Sequence, residues 1–214
     1  MTQTIATPPT KHLTFEEFLD FDDGTENLYE LIDGQVVLMS EASGEHEAIR
    51  SNLAFDLELE IRRLKLPLQT HPAILCKLST DGGRRPDLIV VDRHKWAKAT
   101  RVQAALIDTP PELAIEIVST NWQDDYQQKA FWYAAFGVPE YWIVDPLLAI
   151  ERYPKRKNPA ILVPTVSVLL LKNGTYQSVK RFTGSQRIES RLFPELTLTV
   201  EQLMNAGEEW QDLP

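Results

Sequence analysis

The chain has 214 residues, with 31 acids against 22 bases for a formal net charge of −9; 43% of residues are hydrophobic and 25% charged. That balance excludes an intrinsically disordered chain, a collagen-like fibre and a coiled-coil rod. The length suits one domain, so residues 1–214 are expected to fold as a unit behind a frayed arm at residues 1–12. No apolar run approaches the roughly 18 residues of a membrane helix, and the candidate at residues 166–171 is strand-sized. Residues 1–10 are polar with Pro8-Pro9 and lack a signal pattern, so a cytoplasmic protein is expected. A single cysteine, Cys76, excludes an internal disulfide and a zinc cluster.

Charge is unevenly placed. Residues 1–60 hold fourteen acids and two bases, and residues 192–214 hold five acids and no base. Residues 61–191 hold twenty bases and twelve acids, a net of +8. A basic middle inside an acidic envelope permits phosphate binding there without requiring it.

In chain order, Thr14-Phe15-Glu16-Glu17 fits a capping box, and a short helix is expected from there to about Phe21. Asp33-Gly34 between residues 29–32 and 35–38 predicts a type I′ hairpin. After Ser43, Ile49, Leu53, Leu57, Ile61 and Leu64 recur at helical spacing until Pro67. Strands are expected near residues 73–78, 86–92 and 113–119, with a polar excursion over 93–111. Thr120 or Asn121 can cap a helix over 122–136, which Gly137 and Pro139 close. Residues 141–144 read as a buried strand. From residue 147 the pattern is β, with strands near 149–153, 166–171, 175–182 and 188 and a hairpin signal at Asn173-Gly174. A second capping box, Thr199 to Gln202, opens a short helix ending at Gly207. The class is α/β, or mixed α+β, around a mixed sheet.

Chemistry concentrates on the 86–92 and 113–119 strands. Glu116 stands between Ile115 and Ile117 in an apolar strand, where a carboxylate is costly unless paired or bound to metal. Alternation puts Ala114, Glu116 and Val118 on one face. If the two strands are hairpin neighbours, Asp87 and Glu116 converge as a hard-cation site. The plain alternative is one buried salt bridge and one exposed turn aspartate. On the following helix, Asp125 and Lys129 share a stripe with Trp122, Tyr126, Trp132, Tyr133 and Phe136. A lysine there needs an acceptor or a job: Lys129 either pairs with Asp125 or reaches a scissile phosphate or its attacking water. His46 points inward near a helix start, where it orients a carboxylate, touches phosphate, binds metal or is simply core. Glu30 is a further candidate acid, and Cys76 reads as core. No Walker loop, GxGxxG, GxSxG or HExxH motif is present. Arg84-Arg85, directly before Pro86-Asp87, are expected to hold a phosphodiester backbone. Lys95, Lys98, Arg101, Lys155-Arg156-Lys157 and Lys180-Arg181 form further basic clusters.

Pro86-Asp87, then Glu116-Ile117-Val118, then a lysine, resembles the PD-(D/E)XK nuclease superfamily. More closely, the chain resembles the Uma-type family of restriction endonucleases, long catalogued as a domain of unknown function. The matching segments are residues 29–34, 44–46, 85–91, 116–119, 125–129 and 137–146. The resemblance implies a restriction-endonuclease-like core, a mixed central sheet flanked by helices, with an N-terminal hairpin and a β extension over 147–191. It also implies a homodimer and endonucleolytic hydrolysis, in DNA, dependent on Mg²⁺ or Mn²⁺. Asp87 and Glu116 would bind metal, joined by the backbone carbonyl of Ile117. The superfamily's usual lysine position holds Val118 here; in the resembled family the lysine comes from the next helix, as Lys129. Glu30 and His46 match family positions, and Asp125 supports the lysine. Two other readings are carried: a non-catalytic nuclease-fold module binding DNA or protein, and a phosphohydrolase acting on a small nucleotide.

Overall fold

The computed structural model describes residues 11–99, 105–119, 122–146 and 161–205. The arm over residues 1–10, the caps at Thr120 and Asn121, Arg101, the 149–153 strand, Lys155-Arg156-Lys157 and the helix end at Gly207 lie outside them, as does the side chain of Lys98.

The chain opens with α1 (Phe15–Leu19), whose Thr14–Glu17 capping box is complete. A hairpin of β1 (Tyr29–Ile32) and β2 (Gln35–Leu38) follows. Its turn residues Asp33 and Gly34 both have positive φ, 47° and 70°, as a type I′ turn requires. Helix α2 (Gly44–Arg63) is capped by Ser43, which accepts from the His46 amide, and it buries Ile49, Leu53, Leu57 and Ile61. Then come β3 (Leu68–Pro72), β4 (Leu75–Ser79), β5 (Gly82–Arg84), β6 (Leu88–Asp92), α3 (Arg93–Ala99), β7 (Ala105–Leu106) and β8 (Leu113–Ile117). A π-helical segment, Asp124–Lys129, runs directly into α4 (Ala130–Phe136), which ends at Gly137 with φ +92°. The last elements are β9 (Glu140–Asp145), β10 (Thr165–Lys172), β11 (Thr175–Thr183) and α5 (Val200–Met204).

The strands form two sheets rather than the one expected. The larger runs β11-β10-β9-β8-β6-β3, with β8 and β9 parallel and its other neighbours antiparallel. The smaller runs β2-β1-β5-β4-β7 and absorbs the N-terminal hairpin. Strands β3, β5 and β7 add to the expected set. The C-terminal hairpin β10–β11 extends the larger sheet at its edge.

One face of the larger sheet, carrying Leu88, Val90, Leu113, Ile115 and Ile117, packs on α2 and on Val200 and Leu203 of α5. The other face meets α4 through Ala114, Val118, Ile143 and Tyr133. It meets the smaller sheet through Ile89, Val91, Cys76 and Leu106. Among the described residues no helix is long and apolar enough to cross a membrane.

Candidate active site

Antiparallel register pairs Leu88 with Ile115 and Ile89 with Ala114. One step outward along the same register, Asp87 stands opposite Glu116. The convergence therefore follows from strand pairing. Glu116 is 2% exposed. Its Oε2 accepts from Lys129 Nζ at 2.9 Å, and its Oε1 accepts from the Tyr133 hydroxyl at 2.6 Å. Lys129 Nζ also meets Asp125 Oδ1 at 2.9 Å. The two alternatives for Lys129 thus merge: it pairs with Asp125 and with Glu116 at once.

The helix carrying Lys129 departs from the expected α-helix. Asp124–Lys129 is π-helical, so the expected continuous α-helical stripe is broken there. Asp125 and Lys129 still meet, and the Tyr141 hydroxyl donates to the Asp125 carbonyl at 2.9 Å. π turns are frequent at functional sites because they re-aim side chains within a helix.

Asp87 is fixed from two sides. Its Oδ2 accepts from the Ile117 amide at 2.6 Å and lies 3.2 Å from His46 Nε2. Oδ1 takes part in neither contact. Ile117 thus meets Asp87 through its N–H. His46 is buried at the start of α2, and its Nδ1 has no hydrogen-bond partner. Glu47 Oε1 is 3.7 Å from that nitrogen, too far for a hydrogen bond. Among the roles weighed for His46, this geometry suits orienting a carboxylate.

The electrostatics are lopsided. Burial pushes the Glu116 carboxyl well above its ordinary range despite Lys129, and Asp87 and Asp125 push it further. Burial raises Asp125 to about 6, again against the pull of Lys129. Burial opposes charge on Lys129 too, but Asp125 and Glu116 overcome it and hold the ammonium well above its usual value. Burial also acts against the Asp87 carboxylate, yet His46 and Lys129 leave it below its ordinary value. His46, opposed by burial, is raised by Asp87. Glu116 and Asp125 share one lysine with Asp87 close by, an excess of negative charge, and the two titrate together.

This excess is the test of whether a divalent cation fits. Asp87 and Glu116 offer hard oxygen donors, and a cation beside them would offset the surplus. Among the described residues no group of three or more His, Cys, Asp or Glu side chains forms a ready-made metal cage.

A pH dependence follows. Asp125 has a higher pKa folded, about 6, than its ordinary 3.8. Its protonated form favours folding, and that contribution is lost as pH rises through about 6. His46 acts in the same direction, its contribution lost above 6.5. Glu116, raised further, acts in the same direction, so thermal unfolding in chelator should show stability falling as pH rises from about 5, with Mg²⁺ flattening the fall.

Arg84 and Arg85 require a correction. Arg84 is 5% exposed. Its Nη1 donates to Glu30 Oε2 at 2.9 Å, and Nη1 and Nη2 donate to the two carboxylate oxygens of Asp124 at 3.2 Å. Arg85 donates from Nε to the Tyr29 carbonyl at 3.0 Å and from Nη1 to the Ala73 carbonyl at 2.9 Å. Both guanidinium groups are spent on the protein, so neither is a free phosphate clamp. Glu30 is spent likewise: its Oε1 accepts from the Arg85 amide at 2.8 Å. It belongs to the strut that ties β1 to the π-helical segment through Arg84 and Asp124, and its charge reaches Lys129. Arg84→Met should leave Asp124 and one oxygen of Glu30 without their cation and cost about 3–5 kcal/mol in thermal unfolding.

Two participants escaped the sequence reading. Tyr133 was placed on the apolar stripe; a buried tyrosine hydroxyl needs an acceptor, and its position four residues after Lys129 was the available signal. Asp124 had no signal, since its partner lies forty residues away. Cys76 is buried core, its thiol pushed far up by burial.

A solved structure described as "a putative nuclease belonging to DUF820", from Anabaena variabilis, matches with a TM-score of 0.68 at 21% identity. The match covers 91% of this chain and 98% of that one, a likeness of fold. A search of curated proteins finds no match. Residues 15–201 match the profile of the Uma2 family, described as "Putative restriction endonuclease", a span that takes in every residue of the site. The chain belongs to that family.

Proposed function

We propose that the protein is a divalent-metal-dependent endonuclease that hydrolyses phosphodiester bonds in DNA. The observation that carries the reading is Lys129, brought from the helix after β8 onto Glu116, on a strand paired with the one that Asp87 precedes.

In this reading Asp87 and Glu116 hold Mg²⁺ or Mn²⁺, and the Ile117 carbonyl adds a ligand. When bound, the ion supplies Lewis-acid polarisation of the phosphate and a more acidic water. The protein's own groups do the rest. The Ile117 amide and His46 fix the Asp87 carboxylate, and Tyr133 fixes one oxygen of Glu116. Lys129 keeps its proton because Asp125 and Glu116 flank it. It offsets charge gathering on the phosphate oxygens as the bond to the leaving oxygen breaks, or it orients the attacking water. Asp125 anchors the lysine chain, and the Glu30–Arg84–Asp124 strut holds the segment bearing both. The reading includes a cytoplasmic homodimer.

The experiment is incubation of supercoiled plasmid, and separately of single-stranded RNA, with the protein in Mg²⁺, Mn²⁺ or chelator. Conversion of plasmid to the open circle only with metal is the expected result. Intact plasmid at every metal concentration, with metal bound, would overturn it in favour of another substrate or an idle fold.

A further inference from the structure

With Arg84 and Arg85 committed to the fold, the basic group that meets a substrate backbone has to lie elsewhere. Strand register points to it. Glu116 on β8 pairs with Ile143 on β9, Ile143 with Ser167 on β10, and Ser167 with Arg181 on β11. Directly opposed residues share a sheet face, so Arg181 stands on the face of Glu116, three strand spacings or about 14 Å away. The packing agrees: Ile143 joins the cluster of Ala114, Val118 and Tyr133, while Val166 and Phe182, the neighbours of Ser167 and Arg181, lie in the opposite one.

Arg181 is exposed on β11, an edge strand of the sheet, and among the described residues it has no ion pair. Its charge reaches the hydroxyl of Tyr126, which follows Asp125 in the π-helical segment and precedes Lys129 by three residues. Half-buried Trp122 and Tyr126, edge to face at 6.2 Å, pack against Ile143's cluster. A strand leaving the site toward β11 would thus pass over these aromatic rings. Lys180 differs in both respects. Alternation turns it to the other face, and it is paired with Glu189 at 2.5 Å.

We propose that Arg181 is a positioning residue for the substrate: it holds a backbone phosphate of the nucleic-acid strand a few nucleotides from the phosphate beside Glu116 and Lys129. The proposal rests on the endonuclease reading above. Successive phosphates of one strand rise 3.4 Å along the duplex axis and lie further apart along the backbone, so about 14 Å spans only a few nucleotides.

The test is the salt dependence of binding to a labelled 20-base-pair duplex, by fluorescence anisotropy with Ca²⁺ replacing Mg²⁺. Wild type is compared with Arg181→Ala, Arg181→Lys and Lys180→Ala. One lost phosphate contact lowers the slope of log K against log salt by about 0.9 and weakens binding to all sequences alike. Arg181→Ala should show this, Arg181→Lys should restore the slope, and Lys180→Ala should leave it unchanged. In cleavage, Arg181→Ala should raise KM with kcat unchanged. An unaltered slope in Arg181→Ala beside wild type that binds and nicks overturns this proposal alone. An equal loss in Lys180→Ala also overturns it, since net charge rather than placement would then be acting. Wild type without salt-dependent binding overturns both this proposal and the nucleic-acid reading on which it rests.

Discussion

Glu116→Gln is expected to lower metal-dependent cleavage about 10³-fold or more while raising the melting temperature of the metal-free protein. The two effects have one cause. Glu116 is buried in the middle of an apolar strand, and its charge is opposed by burial and by Asp87 and Asp125. Replacing it with a neutral amide of the same shape removes one charge from an over-supplied cluster. Tyr133 can remain engaged because its hydroxyl accepts as well as donates. A gain of about 1 kcal/mol would appear as roughly 2–4 °C in a chain of this length. In the proposed reading the cation loses one of its two carboxylates, and the several kcal/mol of transition-state stabilisation that a metal provides are lost with it. Differential scanning fluorimetry in chelator, paired with a cleavage assay, reads both. A variant that melts lower and still cleaves would mean that Glu116 is a structural acid.

Lys129→Met should produce the complementary signature. Nζ is the only cation hydrogen-bonded to Glu116 or Asp125 among the described contacts, at 2.9 Å from each. Without it the carboxylates are buried and uncompensated, a loss of about 3–5 kcal/mol in the metal-free protein. Mg²⁺ should recover much of that loss and should bind at least as tightly as to wild type, because the lysine no longer competes for the same oxygens. Cleavage should nevertheless fall by about 10²–10³-fold, the scale of losing one charge-stabilising donor. Calorimetric Mg²⁺ titration and cleavage rates on the same preparation separate the two. Weaker metal binding with proportionally reduced cleavage would assign Lys129 to the metal site's architecture alone.

The reason Glu116 was legible in the sequence is physical. A carboxylate flanked by isoleucines in a strand has few stable explanations, and pairing of its strand with the preceding apolar run brings Asp87 opposite. Lys129 was legible for the same reason, as a charge on an aromatic stripe. The hairpins at Asp33-Gly34 and Asn173-Gly174 were legible because positive φ at both turn positions demands such residues. The smaller sheet was not, since β5 is three residues with two glycines and carries no alternation to detect. Arg84 and Arg85 were misassigned for a related reason. Charge beside a candidate ligand looks like a phosphate clamp until its partners are known, and Glu30 and Asp124 are 54 and 40 residues away from Arg84. The π-helical segment depends on backbone hydrogen bonding that side-chain periodicity does not report.

The most direct test of the central claim compares plasmid nicking in Mg²⁺ by wild type, Asp87→Asn, Glu116→Gln and Lys129→Met, purified identically. If Asp87, Glu116 and Lys129 form the hydrolytic centre, wild type nicks and all three variants fall by two or more orders of magnitude while remaining folded. Equal nicking by wild type and the three folded variants would contradict it, placing the activity outside this site.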